Sequence, residues 1–218
     1  MIGIVRGGLL IAVTAGGIAG GWTAPAPRQA GTAATVTFTD VDGNQYEARR
    51  LGRHYWMTTN FRALRTSGGE PLQGVFAYGD DITHVATHGR LYTWPAAMKA
   101  APAGWHLPTR EEWEALISLH GGASVAGGAL KATLGGLWAA PNAGASNSSG
   151  FAAVGGGFRG GDGLYYDLGH HGDYWGTTGN RQEPYAVYMY NTGASVVSDS
   201  SPDDKTSGIA FSVRYLRD

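Results

Sequence analysis

Two histidines four residues apart, His84 and His88, could share one face of a helix and bind a metal. Asp81-Ile82-Thr83 and Val85-Ala86-Thr87 around them favour loop or strand, and no carboxylate recurs at ligand spacing, so surface histidines are expected. Asp40-Val41-Asp42-Gly43-Asn44 invites a calcium-loop reading, but an EF-hand loop needs its glycine two places later and a glutamate at its end. A hairpin turn explains the same residues. Gly155, Gly157 and Gly160 satisfy the spacing of a dinucleotide loop, yet Phe158-Arg159-Gly160-Gly161-Asp162-Gly163 starts no helix, so loop glycines are expected. His106, between Trp105 and Leu107, is expected to pack with a ring nitrogen on backbone, and His170-His171 to lie in an exposed turn. Asp199, Asp203 and Asp204 could hold a structural calcium, but solvated acidic loop residues are the expectation. With no cysteine in the chain there is no thiolate site, disulfide or cysteine nucleophile. No serine elbow or nucleophile and base pair is evident. No enzyme activity, metal or cofactor is therefore predicted.

The residues that could make contacts lie near the C-terminus. Asp173-Tyr174-Trp175 is followed by Tyr185-Ala186-Val187-Tyr188-Met189-Tyr190-Asn191 and by Ser195 to Ser201. Alternation puts Tyr188 and Tyr190 on one strand face and Val187 and Met189 on the other, which predicts an exposed aromatic row. Tyrosine combines large contact area with low side-chain entropy and a hydroxyl. The candidate ligand-binding set is Tyr174, Trp175, Arg181, Tyr185, Tyr188, Tyr190, Asn191 and Asp199. The other reading of the row is an ordinary sheet whose tyrosines pack under glycine-rich loops.

Several elements must position these residues. Val36 to Thr39 and Gln45 to Ala48 alternate around the Asp40–Asn44 turn and predict a β-hairpin. Trp94-Pro95 opens a short helix through Ala101. Thr109 and Glu112 form a capping box for a helix with Trp113, Leu116 and Ile117 on its apolar face and Gly121 at its end. A third short helix is expected over Leu130 to Leu134. From Trp138 onward short strands alternate with turns, which predicts an α+β domain with small antiparallel sheets, two or three short helices and long Gly-rich loops.

The chain has 218 residues, 43% of them apolar and 36 of them glycine, enough for one well-packed domain rich in turns. Its 16 Lys and Arg balance 17 Asp and Glu, and no basic patch forms, so no nucleic-acid partner is expected. Residues 1–24 have the layout of a signal peptide or an uncleaved N-terminal anchor, with Arg6 before an uncharged run. Residues 25–35 read as a linker and 36–218 as the domain. A secreted or cell-envelope protein is expected, in contact with the membrane only through an uncleaved N-terminus.

Several segments together resemble the Fibrobacter succinogenes major paralogous domain family. They are Asp40 to Tyr46, Trp56-Met57, Asn60-Phe61, Pro102-Ala103-Gly104-Trp105-His106-Leu107-Pro108-Thr109 with Glu112-Trp113, Asn147 to Phe151, Tyr174 to Thr178, and Phe211-Ser212-Val213-Arg214. The resemblance implies a C-type-lectin-like fold, shared with formylglycine-generating enzymes and with the variable receptors of diversity-generating retroelements. The former bind copper through cysteines, which this chain lacks. The calcium-dependent sugar motifs of animal lectins have their nearest counterparts in Glu183-Pro184-Tyr185 and Trp175-Gly176-Thr177, without the ligating Asn and Asp. The variable receptors display ligand residues in this C-terminal region, so the resemblance favours a cell-surface or secreted module that binds a protein or glycan, diversified in one version. A structural envelope protein is the alternative, and an enzyme of unrecognised chemistry the third. Many family members carry cysteines where this chain has Ala101 and Tyr215, which is what loss of one disulfide would look like.

Overall fold

The computed structural model describes residues 34–200 and 207–218. The expected leader or anchor at 1–24, residues 25–33 of the linker, and Asp203 and Asp204 lie outside the described residues. The domain opens with strands β1 (Thr35–Thr39), β2 (Gln45–Leu51) and β3 (His54–Met57). A two-residue β4 (Val75–Phe76) precedes two 3-10 turns, the single-turn helix α1 (Val85–His88), β5 (Leu91–Thr93) and α2 (Trp94–Lys99). Helices α3 (Arg110–Leu119) and α4 (Ala126–Leu130) follow. The last part holds β6 (Phe158–Arg159), β7 (Tyr165–Tyr166), β8 (His171–Thr177), β9 (Pro184–Tyr190), β10 (Val196–Asp199), β11 (Ala210–Phe211) and β12 (Leu216–Arg217). They form antiparallel sheets ordered β1-β2-β3-β12, β10-β9-β8 and β4-β5-β11-β6-β7, an α+β domain with few short helices. Among the described residues no helix is long and apolar enough to cross a membrane.

The β1–β2 hairpin is closed by one carboxylate. Asp40 accepts from the backbone N–H groups of Asp42 and Asn44 at 2.9 Å each, from the Asn44 amide at 2.8 Å and from the Tyr46 hydroxyl at 2.7 Å. Asp42 accepts from the Leu64 N–H at 2.6 Å. The acidic turn is thus consumed by protein donors, with Gly43 at φ 84° supplying the left-handed corner. Helix α3 starts at the expected capping box: the Glu112 N–H donates to Thr109 at 3.3 Å, and Glu112 accepts from the Thr109 N–H at 2.7 Å. Its Trp113, Leu116 and Ile117 are buried, with the Trp113 ring 4.9 Å from Trp56 and 5.8 Å from Phe151. Helix α4 lies over Ala126–Leu130, whereas Lys131 is extended and Leu134 is exposed, so the helix expected over 130–134 is displaced. Gly127 and Gly128 look like helix breakers, but a Cβ there would meet the Ser195 carbonyl at 2.6 Å and that of Gly144 at 2.5 Å. Close backbone approach, not a turn, is what these glycines serve.

Strands β8 and β9 are largely covered on both faces. One side packs Tyr174, Tyr185, Val187, Met189 and Val196 into a core with α3, α4, Trp56 and Phe151. The other adds Trp175 and Ala186 to a second core with Tyr92, Trp105, Phe211 and Tyr215. Cations pin the crossings. Arg214, fully buried, donates to Asn60 at 2.9 Å, to the Ala152 carbonyl at 2.7 Å and to the carbonyl of Phe151, and lies 4.5 Å over the Phe151 ring. Where the resemblance places cysteines, Ala101 packs on the cluster that holds Tyr215, whose hydroxyl donates to the Ala97 carbonyl at 2.6 Å. Aromatic packing and one hydrogen bond tie α2 to the C-terminal strand.

Candidate functional site

The register of the C-terminal sheet sets the site. Asp173 faces Tyr188, His171 faces Tyr190, and Val197 faces Tyr188 from the other side. Since side chains alternate, His171, Asp173 and Trp175 share a face with Ala186, Tyr188, Tyr190, Val197 and Asp199. The five-stranded sheet closes on this face. Phe211 lies 4.3 Å from Trp175 and 5.8 Å edge-on from Tyr188, and Phe158 lies 6.3 Å from His171 and 5.3 Å from Tyr166. Tyr188 and Tyr190 stand half-buried where the two sheets meet, a junction called the cleft below, with the His171 ring 4.7 Å from Tyr190.

Of the predicted contact residues, the structure keeps Tyr188, Tyr190 and the half-buried Asp199 on this face. Four are corrected because they are buried. Tyr174 is 0% exposed and exchanges hydrogen bonds with the Val154 backbone at 3.0 Å, while Trp175 is 1% exposed and donates to the Tyr92 carbonyl at 2.6 Å. Tyr185, also 1% exposed, points into the α3 core, and Asn191 donates to the Ala140 carbonyl at 3.0 Å. Alternation reports which residues share a face, but with both faces covered it does not report exposure. Arg181 is exposed in the β8–β9 turn at φ 58°, away from the row. Sequence reasoning missed Phe158, Tyr166, His171 and Asp173, which complete the cleft. The signal available was Asp173 itself, an acidic residue directly before Tyr174 and Trp175 in a strand.

The histidines also move from their expected settings. His84 and His88 sit on a helical turn, not in a loop or strand, with rings 5.8 Å apart, and burial holds His88 below the ordinary imidazole range. Among the described residues no three metal-ligating side chains converge. His106 packs against the Glu112 carboxylate at 2.8 Å, not against backbone. His170 is exposed in a turn, whereas His171 starts β8 with its ring against Tyr190. Gly155 and Gly157 are loop glycines, as expected: a Cβ at Gly157 would run into the Tyr166 carbonyl, and β6, not a helix, follows.

The electrostatics of the cleft centre on Asp173, whose side chain is 3% exposed. Burial and then the charge of Asp167 push its carboxyl up to about 8. The Tyr190 phenol is raised by burial and by Asp173, so the two groups lie within electrostatic reach of each other.

The family model of the Fibrobacter succinogenes major domain matches residues 50–217, which include α3, Arg214 and every residue of the cleft. The chain belongs to that family. No curated protein and no solved structure gives a significant match. The β1 strand and the Asp40 turn of this Fibrobacter succinogenes major domain protein precede the matched stretch.

Proposed function

We propose that this chain is a secreted or cell-envelope binding protein with a C-type-lectin-like domain that recognises a protein or glycan through the cleft at Tyr188 and Tyr190, and that it is not an enzyme. One observation carries the reading: β9 is buried from Pro184 to Val187, yet it turns two tyrosines half into solvent beside the rings of His171, Phe158 and Tyr166. Half-exposed, packed tyrosines offer rigid contact area at low entropic cost. The small antiparallel sheets and long loops support the lectin-like assignment, and the uncharged N-terminal run supports export.

The test is a protein and glycan array probed with the intact chain, repeated with Tyr188→Ala and Tyr190→Ala. Each should weaken binding of the array ligand at least tenfold, as expected of aromatic anchors, while leaving the melting temperature within a few degrees. Undiminished binding by both variants refutes the reading. A neighbouring reverse transcriptase gene and a near-copy of the 3′ coding region differing at adenines would mark the receptor as diversified.

A further inference from the structure

The cleft contains one strong acceptor that the fold does not use. Asp173 Oδ1 is buried and meets no hydrogen-bond donor among the described residues. His171 Nδ1 stands 3.9 Å from Oδ2 and 3.6 Å from Asp167, beyond hydrogen-bond distance in both cases. The half-buried Asp40, by contrast, receives four donors. A buried acceptor without a donor is costly, so its retention calls for an explanation.

Lys131, Arg214 and Arg159 are each committed elsewhere. Lys131 donates to the carbonyls of Ala143, Tyr190 and Gly193 at 2.7 to 2.9 Å. Arg214 is held by Asn60 and three carbonyls. Arg159 lies 4.1 Å over Phe76 and donates to the Gly208 carbonyl. Asp173 instead faces Tyr188 across the strand pair, and on the same face the His171 ring lies against those of Tyr190 and Phe158. A carboxylate at the base of a ring-lined cleft is complementary to an organic cation, which gains an ion pair below and cation–π contacts along its stem.

On the binding reading above, we propose that the cleft takes the lysine or arginine side chain of a protein ligand, with Asp173 as its counter-ion and Tyr188 and Tyr190 flanking its stem. The groups facing Asp173 are Asp167 from the turn before β8, His171 on β8, and Tyr188 and Tyr190 on β9. Alone, the raised carboxyl keeps its proton near neutral pH; an arriving cation favours the ionised form and expels that proton. Once Asp173 has released that proton, it and the neighbouring Asp167 carboxyl favour a cation over an anion at this position.

The experiment titrates the isotope-labelled intact chain with Nα-acetyl-lysine methylamide, the arginine analogue and the neutral glutamine analogue, reading backbone amide shifts. The basic probes should move the amides of Gly172–Tyr174 and Tyr188–Tyr190 saturably, with at least tenfold weaker response to the glutamine probe, and Asp173→Asn should lose at least tenfold in affinity for the basic ones. Equal response to glutamine, or none to the basic probes, overturns the proposal without needing any variant to fold. If the array ligand is a glycan whose binding depends on Tyr190 but not on Asp173, the cation assignment falls and the binding face stands.

Discussion

Replacing Asp173 by asparagine tests the electrostatics of the cleft through stability alone. The carboxyl rises from its ordinary 3.8 to about 8 in the folded protein. That gap is about four units at ~1.4 kcal/mol each, so ionising Asp173 costs the folded state roughly 5 kcal/mol. The sign follows from proton counts. Between these two pH values the folded chain holds a proton that the unfolded chain has released, so the contribution is fully present below about pH 4 and is lost as pH rises towards 8. Asparagine has nearly the same shape and no such titration. Its amide, lacking partners, sets a constant offset of about 1–3 kcal/mol. His88 and His120, held below the ordinary imidazole range by burial, act in the opposite sense, losing stability as pH falls below that range. They are present in both proteins and cancel in the difference. Urea melts of both chains at pH 5, 6, 7, 8 and 9 should show the wild-type advantage shrinking by about 1.4 kcal/mol per unit up to roughly pH 8 and then levelling. Parallel profiles over the whole range would mean that Asp173 is solvated or paired in solution, and the reasoning would fail.

Trp113→Ala removes a ring packed on Trp56 and Phe151 and should cost about 3–5 kcal/mol in a denaturant melt; Tyr174→Ala, equally buried, should fall in the same range, whereas an effect under 1 kcal/mol would place either ring at the surface. Thr109→Ala breaks the capping box of α3 and should cost about 1 kcal/mol, with Thr109→Ser close to wild type. Thermal melts with calcium and with chelator should coincide, because Asp40 and Asp42 are already saturated by protein donors; a fall of several degrees on chelation would reveal a bound ion.

Local chemistry was legible in the order of residues. The Thr109–Glu112 box, the Trp113, Leu116 and Ile117 stripe, and the Asp40–Asn44 turn each involve partners within a few positions, so neighbouring residue types suffice to specify them. The shared face of Tyr188 and Tyr190 was legible for the same reason, since a strand alternates whatever surrounds it. Exposure was not. Tyr174, Trp175 and Tyr185 look like members of the same aromatic row, and only the closure of α3 on one side and β11 on the other makes them core. The helical Gly127 and Gly128 likewise depend on backbone at 144 and 194–195 arriving next to them. His84 and His88 read as loop residues, and their helical turn is set against the Asn60–Phe61 segment, where Gly89 at φ 75° packs too closely for any side chain. The cleft itself joins β6–β7, β8 and β9, elements that only the tertiary fold brings together, and burial raises the Asp173 carboxyl there. Pairing rules act between neighbours in the chain, whereas solvent is excluded by whatever the tertiary fold brings close, and that decides which aromatic rings can meet a ligand.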